Sequence, residues 1–288
     1  MPDIQIITDS MTDLPQELKQ AYNVKVMPLT VFFDQEPYLD GVDLSPEEFY
    51  VKLEKSDALP RTSQVPPAAF QKAFEEALQE GKQVLCINAS SKASGTYQSA
   101  LIAKNEIESD QIRVVDTLGL SMGAGLTVIE TARLIQQGSD LREAAEFAEK
   151  YARDVRHLFT VDTVTYLQKG GRITPGKALA ATILNIKPIL TVRDGLVDPL
   201  DRVRGSKKVI EKMLDLAAAH DGQIRGNTIA IAHGNDPERA RILKNKLEDA
   251  YQPGEIIMAD IGCTIGTHTG PGTLALFYHQ STGETRQE

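Results

Sequence analysis

The sequence predicts an α/β protein, with a mainly parallel sheet in its N-terminal part and a smaller α+β C-terminal part. Three observations carry this. Short β-branched runs alternate with helical patterns through the first half. Residues 83–107 read as strand, Ser/Gly-rich turn and helix in direct succession, and from Val155 onward strands follow one another, with a hairpin among them. At 288 residues the chain exceeds the usual single-domain size, so two domains are expected, 1–154 and 155–288.

The elements follow in order. Residues 4–7 open the first strand, Asp13 stands as N-cap of a helix to about residue 22, and residues 24–33 read as one long strand. Ser45-Pro46-Glu47-Glu48 supplies an N-cap, a proline at the first helical position and acids in the first turn, which predicts a helix to about residue 55. Residues 59–67 carry three prolines and read as loop. A helix over 67–80 stops at Gly81; then come a strand over 83–89, a helix over 94–107 and a strand over 112–116. Two helices follow, over 121–137 and 140–153, parted by Gly138-Ser139.

The second part begins with a strand over 155–161, a short helix ending at Gly170-Gly171 and a helix over 176–184. A hairpin with arms 186–192 and 196–203 turns at Asp194-Gly195, a pair suited to a type I′ turn. A helix over 206–219, strand over 228–232, helix over 237–251, and strands over 255–260 and 273–278 complete it.

Composition limits the function classes. Hydrophobic residues make up 41% of the chain, and no apolar run approaches the roughly 18 residues needed to cross a bilayer. The N-terminus lacks the pattern of a secretory signal, so a cytoplasmic location is expected. Cys86 and Cys263 fit neither a disulfide framework nor a metal cluster and read as buried apolar residues. A net charge of −9 disfavours nucleic acid and anionic headgroups. A local basic group, Arg193, Arg202, Arg204, Lys207 and Lys208, runs against that balance.

Residues 171–177, G-R-I-T-P-G-K, match the outline of a nucleotide-binding loop, but Ala178 stands where Ser or Thr must bind Mg²⁺, and residues 166–169 look helical. A helix end capped by Gly170, with Arg172 free for a salt bridge or a partner, is the better reading. Ser94 falls where a strand gives way to a helix, a place that stabilises anions. It reads equally as a cap, as an anion ligand or as a nucleophile, although Lys92-Ala93-Ser94-Gly95-Thr96 holds only half of a G-x-S-x-G elbow. Thr62 and Ser63 sit in the proline-rich segment before a helix, where turn capping is the ordinary role. His268 lies in a Gly-rich segment, 266–272, read as a loop whose backbone can approach a ligand. Thr8-Asp9-Ser10 follows the first strand at a carboxyl end, where α/β sheets place ligands.

Taken in order, Thr8-Asp9-Ser10, Arg61-Thr62-Ser63-Gln64, residues 91–97, Tyr166-Leu167 with Gly170-Gly171-Arg172-Ile173, and His268-Thr269-Gly270-Pro271-Gly272 resemble the DegV family of bacterial fatty-acid-binding proteins, which includes the FakB subunits of fatty acid kinase. The resemblance implies two α/β domains with a long-chain fatty acid between them, its carboxylate held by Thr62, Ser94 and His268. Ser63, Gly95, Thr96, Thr269 and Gly270 are further pocket candidates. It also implies a binding subunit without catalytic activity, cofactor or metal. That subunit presents its acid to a separate ATP-binding kinase subunit for acyl-phosphate formation and phospholipid synthesis. Arg172, Arg202 and Arg204, with Lys207, are candidates for docking that partner or steadying the acyl phosphate; a solvated surface is the ordinary alternative. A monomer is expected, and transient contact with a membrane surface stays compatible with it. The competing reading is a serine hydrolase or acyltransferase using Ser94, His268 and Asp9.

Overall fold

A computed structural model describes residues 3–173, 186–219 and 224–280. The chain begins with β1 (Ile4–Asp9), α1 (Gln16–Ala21), β2 (Lys25–Met27), β3 (Thr30–Phe33), β4 (Glu36–Leu39) and α2 (Pro46–Lys55). It continues through β5 (Arg61–Ser63), α3 (Pro67–Gln79), β6 (Gln83–Asn88), α4 (Thr96–Ile107), β7 (Ile112–Asp116), α5 (Met122–Gln136) and α6 (Leu141–Asp154). The remainder comprises β8 (Val155–Thr160), α7 (Thr165–Gly170), β9 (Ile186–Arg193), β10 (Leu196–Arg204), α8 (Val209–Ala219), β11 (Thr228–His233), α9 (Pro237–Tyr251), β12 (Glu255–Asp260), α10 (Cys263–Thr269) and β13 (Leu274–His279). The expected helix over 176–184 lies outside the described residues.

A parallel sheet of order β2-β1-β6-β7 forms the first layer. Its strand order reverses between β1 and β6, and the crevice beyond the carboxyl ends of those strands is where such sheets bind ligands. A six-stranded mixed sheet, β10-β9-β8-β13-β11-β12, forms the second layer, with only β11 and β12 parallel. Between the two lies α5, buried on every face from Met122 to Ile129. A helix apolar all round belongs in a core, and one apolar cluster runs through α5 into both sheets. Gly125 is required there: a Cβ would stand 2.8 Å from the Thr12 carbonyl.

A small antiparallel sheet, β4-β3-β5, corrects three expectations. Residues 24–33 are not one strand. Pro28 lacks the N–H a continuous ladder needs, so β2 ends in the parallel sheet and β3 starts another. Residues 59–67 are not all loop, because the extended backbone favoured next to prolines lets β5 pair with β3. The unexpected β4 is an edge strand, where Pro37 is tolerated.

Three helix boundaries also differ. Asp13 does not cap α1; it closes a 3-10 turn over Ser10–Thr12 in the left-handed region, and its carboxylate serves other partners. The helix after Ser94 starts at Thr96, and the Gly-rich segment at 266–272 proves partly helical as α10, ending at Gly270. Other signals act as read. Ser45 and Glu48 form a reciprocal capping box on α2, and Asp194 and Gly195 take φ of 50° and 82° in the hairpin turn. Cys86 and Cys263 are both buried.

Candidate functional site

The short strand β5 holds Thr62 opposite Val31, and α10 carries His268 on its last turn. Two buried carboxylates fix α10. Asp40 accepts the Cys263 and Thr264 N–H groups at 3.0 and 3.1 Å, satisfying donors at the helix start, and Asp13 accepts the Gly262 N–H at 2.9 Å. Asp13 also binds the Ser121 hydroxyl at 2.5 Å, and burial pushes its pKa up to about 8. His268 Nε2 then lies 3.0 Å from Thr62 Oγ1. Its Nδ1 side packs on Gly170, where a Cβ would collide with the ring, and Nδ1 is buried without a hydrogen-bond partner among the described residues. Burial, with the Arg172 charge nearby, holds the His268 pKa down to about 4, so the ring is neutral at pH 7.

Ser94 arrives by another route. Asp9, at the end of β1, accepts from Asn88 Nδ2 and Ala89 N at 3.0 Å each, aligning the exit of β6 and the loop beyond. In that loop Ser94 Oγ lies 2.9 Å from Thr96 Oγ1 and accepts the Thr96 N–H at 3.3 Å. Arg172 bridges the two parts: Nε donates to the Ala93 carbonyl at 3.1 Å and Nη1 to the Gly170 carbonyl at 2.6 Å.

These groups border one cavity of about 270 Å³. Thr62, Ser63, Ser94, Gly95, Arg172, His268 and Thr269 contribute to its wall, and much of the rest is apolar, including Met11, Leu29, Phe159, Leu167, Ile265 and Phe277. Not every candidate reaches it. Thr96 is buried beneath Ser94, and Gly270 ends α10 at φ 74° with its Cα against Tyr166. Arg202 and Arg204 are exposed on β10, a sheet-edge strand, and neither lines the cavity.

Sequence reasoning missed other polar groups in the wall, Ser121, His157, Thr264 and Thr273. It also missed the roles of Asp13 and Asp40 in placing α10. No local motif marks Asp13 or Asp40, because each holds partners distant in sequence. Among the described residues, no group of three or more His, Cys, Asp or Glu side chains is arranged to hold a metal ion. No described helix is long and apolar enough to cross a membrane.

Comparison with known proteins places this geometry among relatives. A model of uncharacterised proteins of the DegV family matches residues 3–281. A DegV domain-containing protein of Caldanaerobacter subterraneus is 34% identical over 280 residues, covering 97% of this chain and 100% of that one. The structure of a fatty-acid-binding DegV family protein from Thermus thermophilus superposes with a TM-score of 0.90 at 34% identity, covering 97% of this chain and 100% of that one. DegV from Bacillus subtilis, a fatty acid binding protein, gives a TM-score of 0.87 at 29% identity, with 98% and 100% covered. With matches over nearly its whole length in sequence and in fold, the chain belongs to the DegV family.

Proposed function

We propose that this chain binds a long-chain fatty acid in the cavity and holds the carboxylate with Thr62, Ser94 and His268. The observation that carries the reading is the meeting of Thr62 Oγ1 and His268 Nε2, 3.0 Å apart, at the wall of a largely apolar cavity that Ser94 also borders. A hydroxyl and a ring N–H converging on one point suit a carboxylate, whose burial without donors is prohibitive. An acyl chain of about 16 to 18 carbons gains on the order of 10 kcal/mol from burial, at roughly 0.8 kcal/mol per methylene, before entropic costs. The fatty-acid-binding relatives from Thermus thermophilus and Bacillus subtilis support the same ligand class.

Holding is favoured over catalysis by two contacts. Ser94 Oγ is hydrogen-bonded within its own loop rather than to His268, and among the described residues His268 Nδ1 has no carboxylate to orient it as a base. Asp9, the third member of a hydrolase reading, is engaged by Asn88, Ala89 and Met11. The test is lipid retention. Thr62→Ala, Ser94→Ala and His268→Ala should each weaken it without unfolding the protein, whereas unchanged retention in all three removes the carboxylate site. Labelling of Ser94 by a fluorophosphonate would favour the hydrolase.

The finer part of the proposal is delivery. A monomeric, cytoplasmic protein would present its acid to an ATP-binding kinase subunit for acyl-phosphate formation and phospholipid synthesis. Arg172 lies at the cavity to steady the phosphorylated head, and the exposed Arg202 and Arg204 serve as docking groups. Paired Arg202→Glu and Arg204→Glu substitutions should reduce acyl phosphate made with ATP, Mg²⁺ and such a subunit, while lipid retention persists; undiminished synthesis would discard the docking role.

A further inference from the structure

Two wall residues of the cavity, His157 and Val192, also line a second and larger groove of about 740 Å³. That groove is open to solvent, bordered by exposed Leu118, Arg153, Arg193 and Asp194. Strand register places the shared residues. Phe159 pairs with Ala275 on β13 and with Leu190 on β9, and two positions back along β8 His157 pairs with Phe277 and comes alongside Val192. Because β8 runs towards α7 and β13 starts just after α10, the step from Phe159 to His157, about 6.6 Å along the strand, leads away from the end of the sheet where α7 and α10 lie. The partition therefore lies further back along β8 than Phe159, on the side of the cavity away from His268.

The partition is rigid on its histidine side. The Leu120 N–H donates to His157 Nε2 at 3.1 Å, and the ring meets Phe277 edge to face at 5.4 Å. Gly123 of α5 packs so closely on the ring that a Cβ there would collide with it.

We infer that His157 and Val192 determine the longest acyl chain this protein accepts, by closing the cavity against the neighbouring groove. The inference rests on the fatty-acid reading of the cavity. Removing either side chain joins the two spaces, so the tail of a longer acid can pass the partition instead of buckling against it. Enlarging Val192 has the opposite effect.

The test is competitive loading. Delipidated wild type, Val192→Ala, His157→Ala and Val192→Phe are each incubated with an equimolar mixture of saturated fatty acids spanning medium to very long chains, repurified and extracted for mass spectrometry. Val192→Ala and His157→Ala should shift the retained profile to longer acids, by about fourfold in relative retention for each methylene newly buried. Val192→Phe should shift it to shorter ones. Val192→Ala retains every hydrogen bond of His157, so it decides the matter even if His157→Ala does not fold. Loaded variants with the wild-type profile overturn the inference and leave the fatty-acid reading intact. Wild type that retains no fatty acid overturns both.

Discussion

At the scale of single residues, the grip depends on donors that a carboxylate can reach. A hydrogen bond to a charged group contributes roughly 1.5–3 kcal/mol, so losing one of Thr62, Ser94 or His268 should weaken fatty acid binding by about ten- to a hundredfold, measurable by displacement of a fluorescent fatty acid. Asp13 makes a separate prediction. Burial raises its pKa to about 8 from an ordinary 3.8, so the stability associated with its neutral form is fully present below 3.8 and is lost as pH rises through 8. Asp13→Asn keeps an acceptor for Gly262 and cannot ionise; its melting temperature should therefore gain on wild type between pH 5 and 8, and a constant difference would refute the shift. His157 and His268 act in the opposite sense. Both are held down to about 4 from 6.5, so the stability of their neutral rings is present above 6.5 and lost as pH falls towards 4. His268→Asn should flatten part of that acid limb in pH-dependent unfolding.

Among the elements, α10 is the one on which the site turns, and Asp40 anchors its start. Asp40→Ala leaves the Cys263 and Thr264 N–H groups buried without an acceptor, which should cost about 1–3 kcal/mol in chemical denaturation and weaken fatty acid binding by displacing His268. Full binding in this variant would separate the cap from the grip. The same helix shows where legibility in the sequence ended. Caps and turns declared themselves, since Ser45 with Glu48 and Asp194 with Gly195 act through neighbours in the chain. Residues 266–272 read as loop because their threonines and glycines favour no helix, while the carboxylate that starts α10 is contributed from Asp40, far away in sequence. β5 was hidden for a related reason: a three-residue strand exists only because β3 offers a partner. Thr62, Ser94 and His268 were named through ordered motifs, not local physics, and His157 gave no signal because a buried strand histidine looks like any other.

For the whole molecule, one apolar core links the parallel sheet, α5 and the mixed sheet, and the cavity draws its wall from segments on both sides of α5. Ligand binding should therefore stabilise the fold globally. At a free fatty acid concentration of 100 times the dissociation constant, the gain is about 2.7 kcal/mol, which calorimetry would report as a higher melting temperature than that of the delipidated protein. The most direct test of the carboxylate-held fatty acid is organic extraction and mass spectrometry of purified protein after loading. Wild type is predicted to yield a stoichiometric long-chain fatty acid, and a variant lacking the Thr62, Ser94 and His268 side chains much less. Wild type that gives no lipid, or a variant that retains as much as wild type, would contradict the account.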